Sequence, residues 1–166
     1  MGIETELAAF GAKLDAAVAN VMENFVHAAA QIAITKSIEE NVYEKYDPTE
    51  YERRRERGGL TDPANIRIRG GHVIVSADEV QSVFEMEVED VAKDEDGLPV
   101  AEIIESGEGY HWENSRIYQW EHDGRPLRRP FYEPAEQIMA RESSWVEGSF
   151  ADAVRYGLRE HGFDVL

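Results

Sequence analysis

The chain has 166 residues, 42% of them hydrophobic and 31% charged, enough for one domain with a buried core and unlike disordered or membrane proteins. It holds no cysteine, which excludes disulfides, thiolate metal sites and cysteine nucleophiles, and suits an intracellular origin. A net charge of −17 argues against nucleic-acid binding by the surface as a whole.

No basic start followed by an apolar stretch marks a signal peptide. The longest apolar run, Ala28 to Ile34, is interrupted by Gln31 and falls far short of the ~20 residues that span a bilayer. Charge is unevenly placed. Between Ser76 and Glu105 acids stand against Lys93 alone, whereas arginines gather at 53 to 57, at 67 and 69, and at 116 to 129. Separate acidic and basic faces suit head-to-tail assembly of like subunits.

Residues 3 to about 45 read as one long helix. Ile3, Leu7, Phe10, Leu14, Ala17, Val21, Phe25, Ala28 and Ile32 follow three- and four-residue steps and form one apolar stripe. The repeat slips near Val21 to Phe25, and Gly11 and Ala28 to Ala30 are weak points. Such a helix would run ~60 Å and overhang a domain of this size unless it bends, breaks or packs on a neighbouring subunit. A turn at Asp47-Pro48 follows, with Tyr43, Tyr46 and Tyr51 available to stack on Arg53 to Arg55. Gly58-Gly59 and Asp62-Pro63 mark an exposed loop.

Ile66 to Arg69 and His72 to Ser76 read as short strands around a Gly70-Gly71 turn. Val80 to Val91 alternates: Phe84, Met86 and Val88 point to a core, while Glu85, Glu87 and Glu89 form a carboxylate row that faces solvent or lines a channel. Lys93 to Gly97 is a charged turn, and Leu98 to Ser106 suits a short helix burying Val100, Ile103 and Ile104, with Gly107 as its C-cap. The aromatic stretch after it (Tyr110, Trp112, Tyr118, Trp120) and the basic residues Arg125 to Arg129 form either a packed corner or a docking surface. Trp112, Trp120 and Arg125 are the interface candidates. Pro130-Phe131 opens a last helix that kinks at Gly148-Ser149 and ends at Gly162, with Phe131 in the core.

The elements predict an α+β fold in a single domain, 1–166. Its parts are a long N-terminal helix (1–45), a motif loop (46–65), a small antiparallel sheet (66–97), a short helix with the aromatic segment (98–130), and a long C-terminal helix packed on the sheet (131–162). No glycine-rich phosphate loop, nucleophile elbow or paired-histidine helix is present. His111 and His122, near Glu113, Glu121 and Asp123, imply no fixed metal geometry. The sequence therefore points to no catalytic, cofactor-binding or metal residues, and to a non-enzymatic role.

Three motifs carry a resemblance. Tyr46, Pro48, Tyr51, Arg53, Gly58, Gly59 and Leu60 fit a Y-x-P-x-x-Y-x-R-R…G-G-L segment; Ile104, Gly107, Gly109, Tyr110 and Trp112 lie in an I-x-x-G-x-x-Y element; Arg129, Pro130 and Phe131 give R-P-F before the last helix. In these and in the order of its parts the chain resembles the neck and tail-completion proteins of long-tailed bacteriophages, including the lambda Z-like minor tail components. It departs from the commoner pattern in the insertion Gln119 to Leu127 and in its acidity. The resemblance implies a virion component, assembled in the bacterial cytoplasm as a ring, commonly a hexamer. Such a ring joins the filled head to the tail with other neck, connector and tail proteins. DNA passes through its lumen without specific binding, and no membrane or cofactor is involved. The alternative from a different class is a small acidic binding protein, a DNA mimic that blocks a basic partner.

Overall fold

A computed structural model describes residues 2–45, 54–70, 86–94, 97–106, 129–141 and 144–165. The elements in order are helix α1 (Ile3–Val21), a π-helical turn (Met22–Val26), α2 (His27–Ile38) and a second π-helical turn (Glu39–Tyr43). Strands β1 (Ile66–Gly70) and β2 (Met86–Asp90) follow, then α3 (Val100–Ser106), α4 (Tyr132–Ala140), a single 3-10 turn (Trp145–Glu147) and α5 (Phe150–Glu160). The fold is α+β, with β1 and β2 paired in a small antiparallel sheet. The chain forms two compact units, one of residues 1–32, 68–87 and 139–166, the other of residues 33–67 and 88–138.

The long N-terminal helix is present, and it breaks neither at Gly11 nor at the alanine run. The slip in its apolar repeat has a structural answer. His27 N–H reaches back to Met22 O and Glu44 N–H to Glu39 O, five residues instead of four, so each π turn holds one extra residue and rotates the face that follows. Phe25, Ala28 and Ile32 of the expected stripe are accordingly only half-buried, and Val26, Ala29, Ala30, Ala33 and Ile34, one or two positions on, take the buried places. The first turns of the stripe depart from expectation in another way: Ile3, Leu7 and Phe10 are 83%, 69% and 55% exposed.

In the first unit, Val21, Met22 and Val26 make a core on which Val18, Phe25, Phe150, Val154 and Leu158 pack. The apolar face of α5 thus seats on α1 and the first π turn, not on the sheet as expected. The two helices approach closely because α5 carries Gly157, where a Cβ would meet Val21 Cγ2 at 2.7 Å and Phe25 Cδ2 at 2.8 Å. Gly157→Ala is therefore expected to cost about 1–3 kcal/mol by overpacking. An unchanged urea midpoint for that variant would mean the helices can separate freely. His161 and Asn20 join the same pair of helices at 2.9 Å. Gly162, at φ +79, ends α5: its N–H bonds Arg159 O and that of Phe163 bonds Leu158 O, the paired pattern that closes a helix with a left-handed residue.

The kinked C-terminal helix of the sequence reading is in fact two helices. Gly148 adopts φ +92, and Ser149, fully buried, donates its hydroxyl to Arg141 O at 2.8 Å, so the chain turns between α4 and α5 instead of bending through. Helix α3 also starts later than expected, at Val100; Ala101 is its buried residue, while Val100, Ile103 and Ile104 are half-buried. The described ends of the charged turn before it are joined, with Gly97 at φ +83, its N–H on Asp94 O, and Asp94 Oδ1 accepting Leu98 N–H; residues 95 and 96 lie outside the described residues. The strand expected at His72 to Ser76 and the cap expected at Gly107 lie outside the described residues.

Candidate functional site

A hollow in the second unit gathers several titratable groups. It encloses about 680 Å³ and is lined by the end of β2 (Glu89, Asp90), by Lys93, by Glu102 and Glu105 of α3, and by Tyr132 of α4. Val91, Pro99 and Ala101 supply its apolar wall.

Each polar group has a definite reason for its position. Asp90 ends a strand whose alternation turns every second residue inward, so it falls on the same side as Val88. It is 6% exposed; Oδ1 accepts Ala92 N–H at 2.8 Å, while Oδ2 is buried without a hydrogen-bond partner among the described residues. Burial pushes the Asp90 carboxyl from 3.8 up to about 7; the Ala92 N–H opposes this and the charge of Asp62 adds to it. Tyr132 holds the backbone of Asp90 in place, its hydroxyl oxygen accepting Asp90 N–H at 2.8 Å. Burial also raises the Tyr132 phenol above its ordinary value, with Asp90, Glu105 and Glu89 adding to the shift against the bond from Asp90 N–H.

Glu105 has the other structural task. Its Oε1 accepts the N–H of Phe131 at 2.6 Å and of Tyr132 at 2.7 Å, and so satisfies free donors at the start of α4, where negative charge is favoured. Phe131 is the N-cap residue, its carbonyl taking the Ala135 N–H, so Pro130 stands just before the helix and not in its first turn. Ser37 donates its hydroxyl to that same carbonyl at 2.6 Å, and the Phe131 ring is fully buried as expected.

The structure unites motif residues that the sequence keeps apart. Ile104 O accepts Arg129 N–H at 2.8 Å, joining the second motif to the third. In the first, Gly58 sits at φ +86, and a Cβ on Gly59 would lie 2.6 Å from both the N and the O of Arg55; Leu60 is fully buried. Asp62 braces this loop by accepting Gly58 N–H and Ala64 N–H. Two arginines of the loop are engaged: Arg54 donates to Lys93 O, and Arg55 bonds Glu39 at 3.2 Å and lies over the Tyr43 ring. The expected stacking of Tyr43 with an arginine is thus present, and it occupies a cation that a nucleic-acid patch would need free.

Glu87 and Glu89 are exposed, as the alternation requires. The bond from Val91 N–H to Asn65 O sets the strand register and places Arg67 opposite Glu89 and Arg69 opposite Glu87. Both arginines are exposed too, so the described part of this face carries both signs instead of a purely negative row. Glu85, the interface candidates Trp112, Trp120 and Arg125, and the motif residues Tyr46, Pro48, Tyr51, Arg53, Gly107, Gly109 and Tyr110 lie outside the described residues.

Among the described residues no group of three acidic or histidine side chains is placed to hold a metal ion. Tyr132 and Glu105 thus tie the end of β2 and helix α3 to the start of α4 around one buried acid. Sequence reasoning missed Asp90 and Tyr132, although a charged residue on the inward side of an alternating strand is a legible signal. The family model named YomN matches residues 6–160. The chain belongs to the YomN family. That name is a phage-associated one. Comparison with curated proteins and with solved structures returns no match. The YomN match takes in α1 from its fourth residue through the whole of α5, and so includes the motif loop, the hollow and the Glu105 cap.

Proposed function

We propose that this YomN-family protein is a structural subunit of a phage virion, a neck or tail-completion component that assembles as a ring between the DNA-filled head and the tail. The observation that carries the reading is the exposed start of α1: Ile3 and Leu7 stay mostly in water, and Phe10 on the same stripe meets the Phe163 ring edge-on yet remains 55% exposed, although the same helix is buried further along. An amphipathic face left open at the end of a helix of this length needs a protein partner. The resemblance of its motifs and order of parts to neck and tail-completion proteins, and the phage-associated family name, support a partner within a virion. The acid-rich stretch 76–105 and the arginines that follow it suit the unlike patches of a closed ring.

The DNA-mimic alternative draws on a row of carboxylates standing in for phosphates. Arg67 and Arg69 beside Glu87 and Glu89 weaken that argument, and they equally remove the need to place this face on a channel.

The test is assembly. Light scattering on the purified protein, alone and with particle extracts, should find a ring-sized species, and mass measurement of purified particles should find the chain in them. Leu7→Lys, at an exposed position, should leave the fold intact while weakening assembly by roughly 10-fold or more, the loss expected when one buried leucine is withdrawn from an interface. Full assembly by Leu7→Lys would remove α1 from the interface; absence of the chain from particles would remove the virion role.

A further inference from the structure

The buried end of β2 and the starts of two helices are joined in a closed circuit of hydrogen bonds. Asp90 Oδ1 accepts Ala92 N–H, and Ala92 O accepts the N–H of Val100, which begins α3. Near the far end of α3, Glu105 Oε1 accepts the N–H groups of Phe131 and Tyr132, which begin α4. Tyr132 closes the circuit by accepting Asp90 N–H on its hydroxyl oxygen. All these residues belong to one compact unit.

Asp90 is the buried acid of the circuit, 6% exposed, and its Oδ2 has no hydrogen-bond partner among the described residues. A carboxylic acid can stay in such a place at modest cost, whereas a carboxylate with a bare, buried oxygen requires hydration. The charges around it sharpen the contrast. Asp62 stands on the loop side, Glu89 on its own strand, Glu102 and Glu105 on α3, and Lys93 is the one cation lining the hollow among the described residues.

We propose that Asp90 is a proton-controlled latch: as the acid it keeps the circuit closed and α3 tied to the start of α4, and as the carboxylate it admits water and loosens that tie. Helix α3 carries Ile104, and Arg129, Pro130 and Phe131 lead into α4, so the latch couples motif residues to pH. Its direction follows from linkage. The closed form holds its proton to about 7, while the opened group ionises at the ordinary 3.8, so the free energy favouring closure is at its full value below pH 4 and falls as pH rises towards 7, with the closed form still the major one there. Opening should grow about tenfold per pH unit across that window and then level off.

Two measurements on the intact chain test the latch. Carbon NMR of the Asp90 carboxyl needs no variant and should give a midpoint near 7. Amide exchange, normalised for its intrinsic pH dependence, should show protection of Val100, Phe131 and Tyr132 falling about tenfold per unit in the wild type and staying flat in Asp90→Asn, which keeps the acceptor for Ala92 but cannot ionise. Tyr132→Phe, lacking the return bond, should lower protection of Asp90 N–H at every pH. A carboxyl midpoint near 4, or protection that runs parallel in wild type and Asp90→Asn, would overturn the proposal; if the variant does not fold, the carboxyl titration alone decides.

Discussion

Phe131→Ala is expected to destabilise the protein by about 3–5 kcal/mol, the cost of emptying a large aromatic site in a packed interior. The ring is fully buried and lies 4.5 Å from that of Tyr132, so its loss leaves a void beside the residue that holds Asp90 N–H. The backbone bonds of residue 131 to Glu105, Ser37 and Ala135 survive the substitution, which makes the expected loss one of packing and not of capping. Urea unfolding of wild type and variant measures it, and for a chain of this length the melting temperature should fall by roughly 6–20 °C. A loss below about 1 kcal/mol would mean that the site collapses on the void. Glu105→Ala provides the complementary case: it spares the ring and removes the acceptor shared by two N–H groups, for an expected cost of about 1–2 kcal/mol.

Asp90→Asn is expected to stabilise the protein at pH 8 by roughly 2–4 kcal/mol and to change little at pH 4. The sign follows from the raised carboxyl, about 7 when folded against 3.8 when free. Below 3.8 both states hold the proton and the site contributes its full stability; as pH rises to 7 the unfolded chain ionises first, and stability drains away until both forms are charged. Asparagine removes the charge while keeping an oxygen for Ala92 N–H. Other carboxylates titrate over the same range, so the informative quantity is the difference between variant and wild type in urea midpoint at each pH. A variant less stable at pH 8 than at pH 4, relative to wild type, would show that the Asp90 charge is stabilised in the folded protein.

Much of the fold was legible because its signals are local. Three- and four-residue steps mark the long helix, alternation marks β2, and Gly97, Gly148 and Gly162 mark turns where a left-handed residue is needed. The slip near Val21 was visible as well, but a break in periodicity does not say whether a helix ends, bends or takes in a residue. The π turn is settled by which face meets Phe150, Val154 and Leu158. Composition likewise could not separate one kinked C-terminal helix from two. The bond from the buried Ser149 hydroxyl to Arg141 O, with Gly148 at φ +92, decides for two.

The site divides along the same line. The sequence alone determined that the chain is acidic and cysteine-free, that Phe131 is buried and that Glu87 and Glu89 face outward, because hydrophobic burial and strand parity act on each residue separately. Only the tertiary structure decided that Glu105 caps a helix beginning 27 positions later, that Tyr132 holds Asp90, and that Arg67 and Arg69 stand opposite the carboxylate row. These pairings join residues far apart in the chain, and no spacing rule encodes them. The same is true of the Asp90 proton: its affinity is set by desolvation, which arises only when distant segments close over the group.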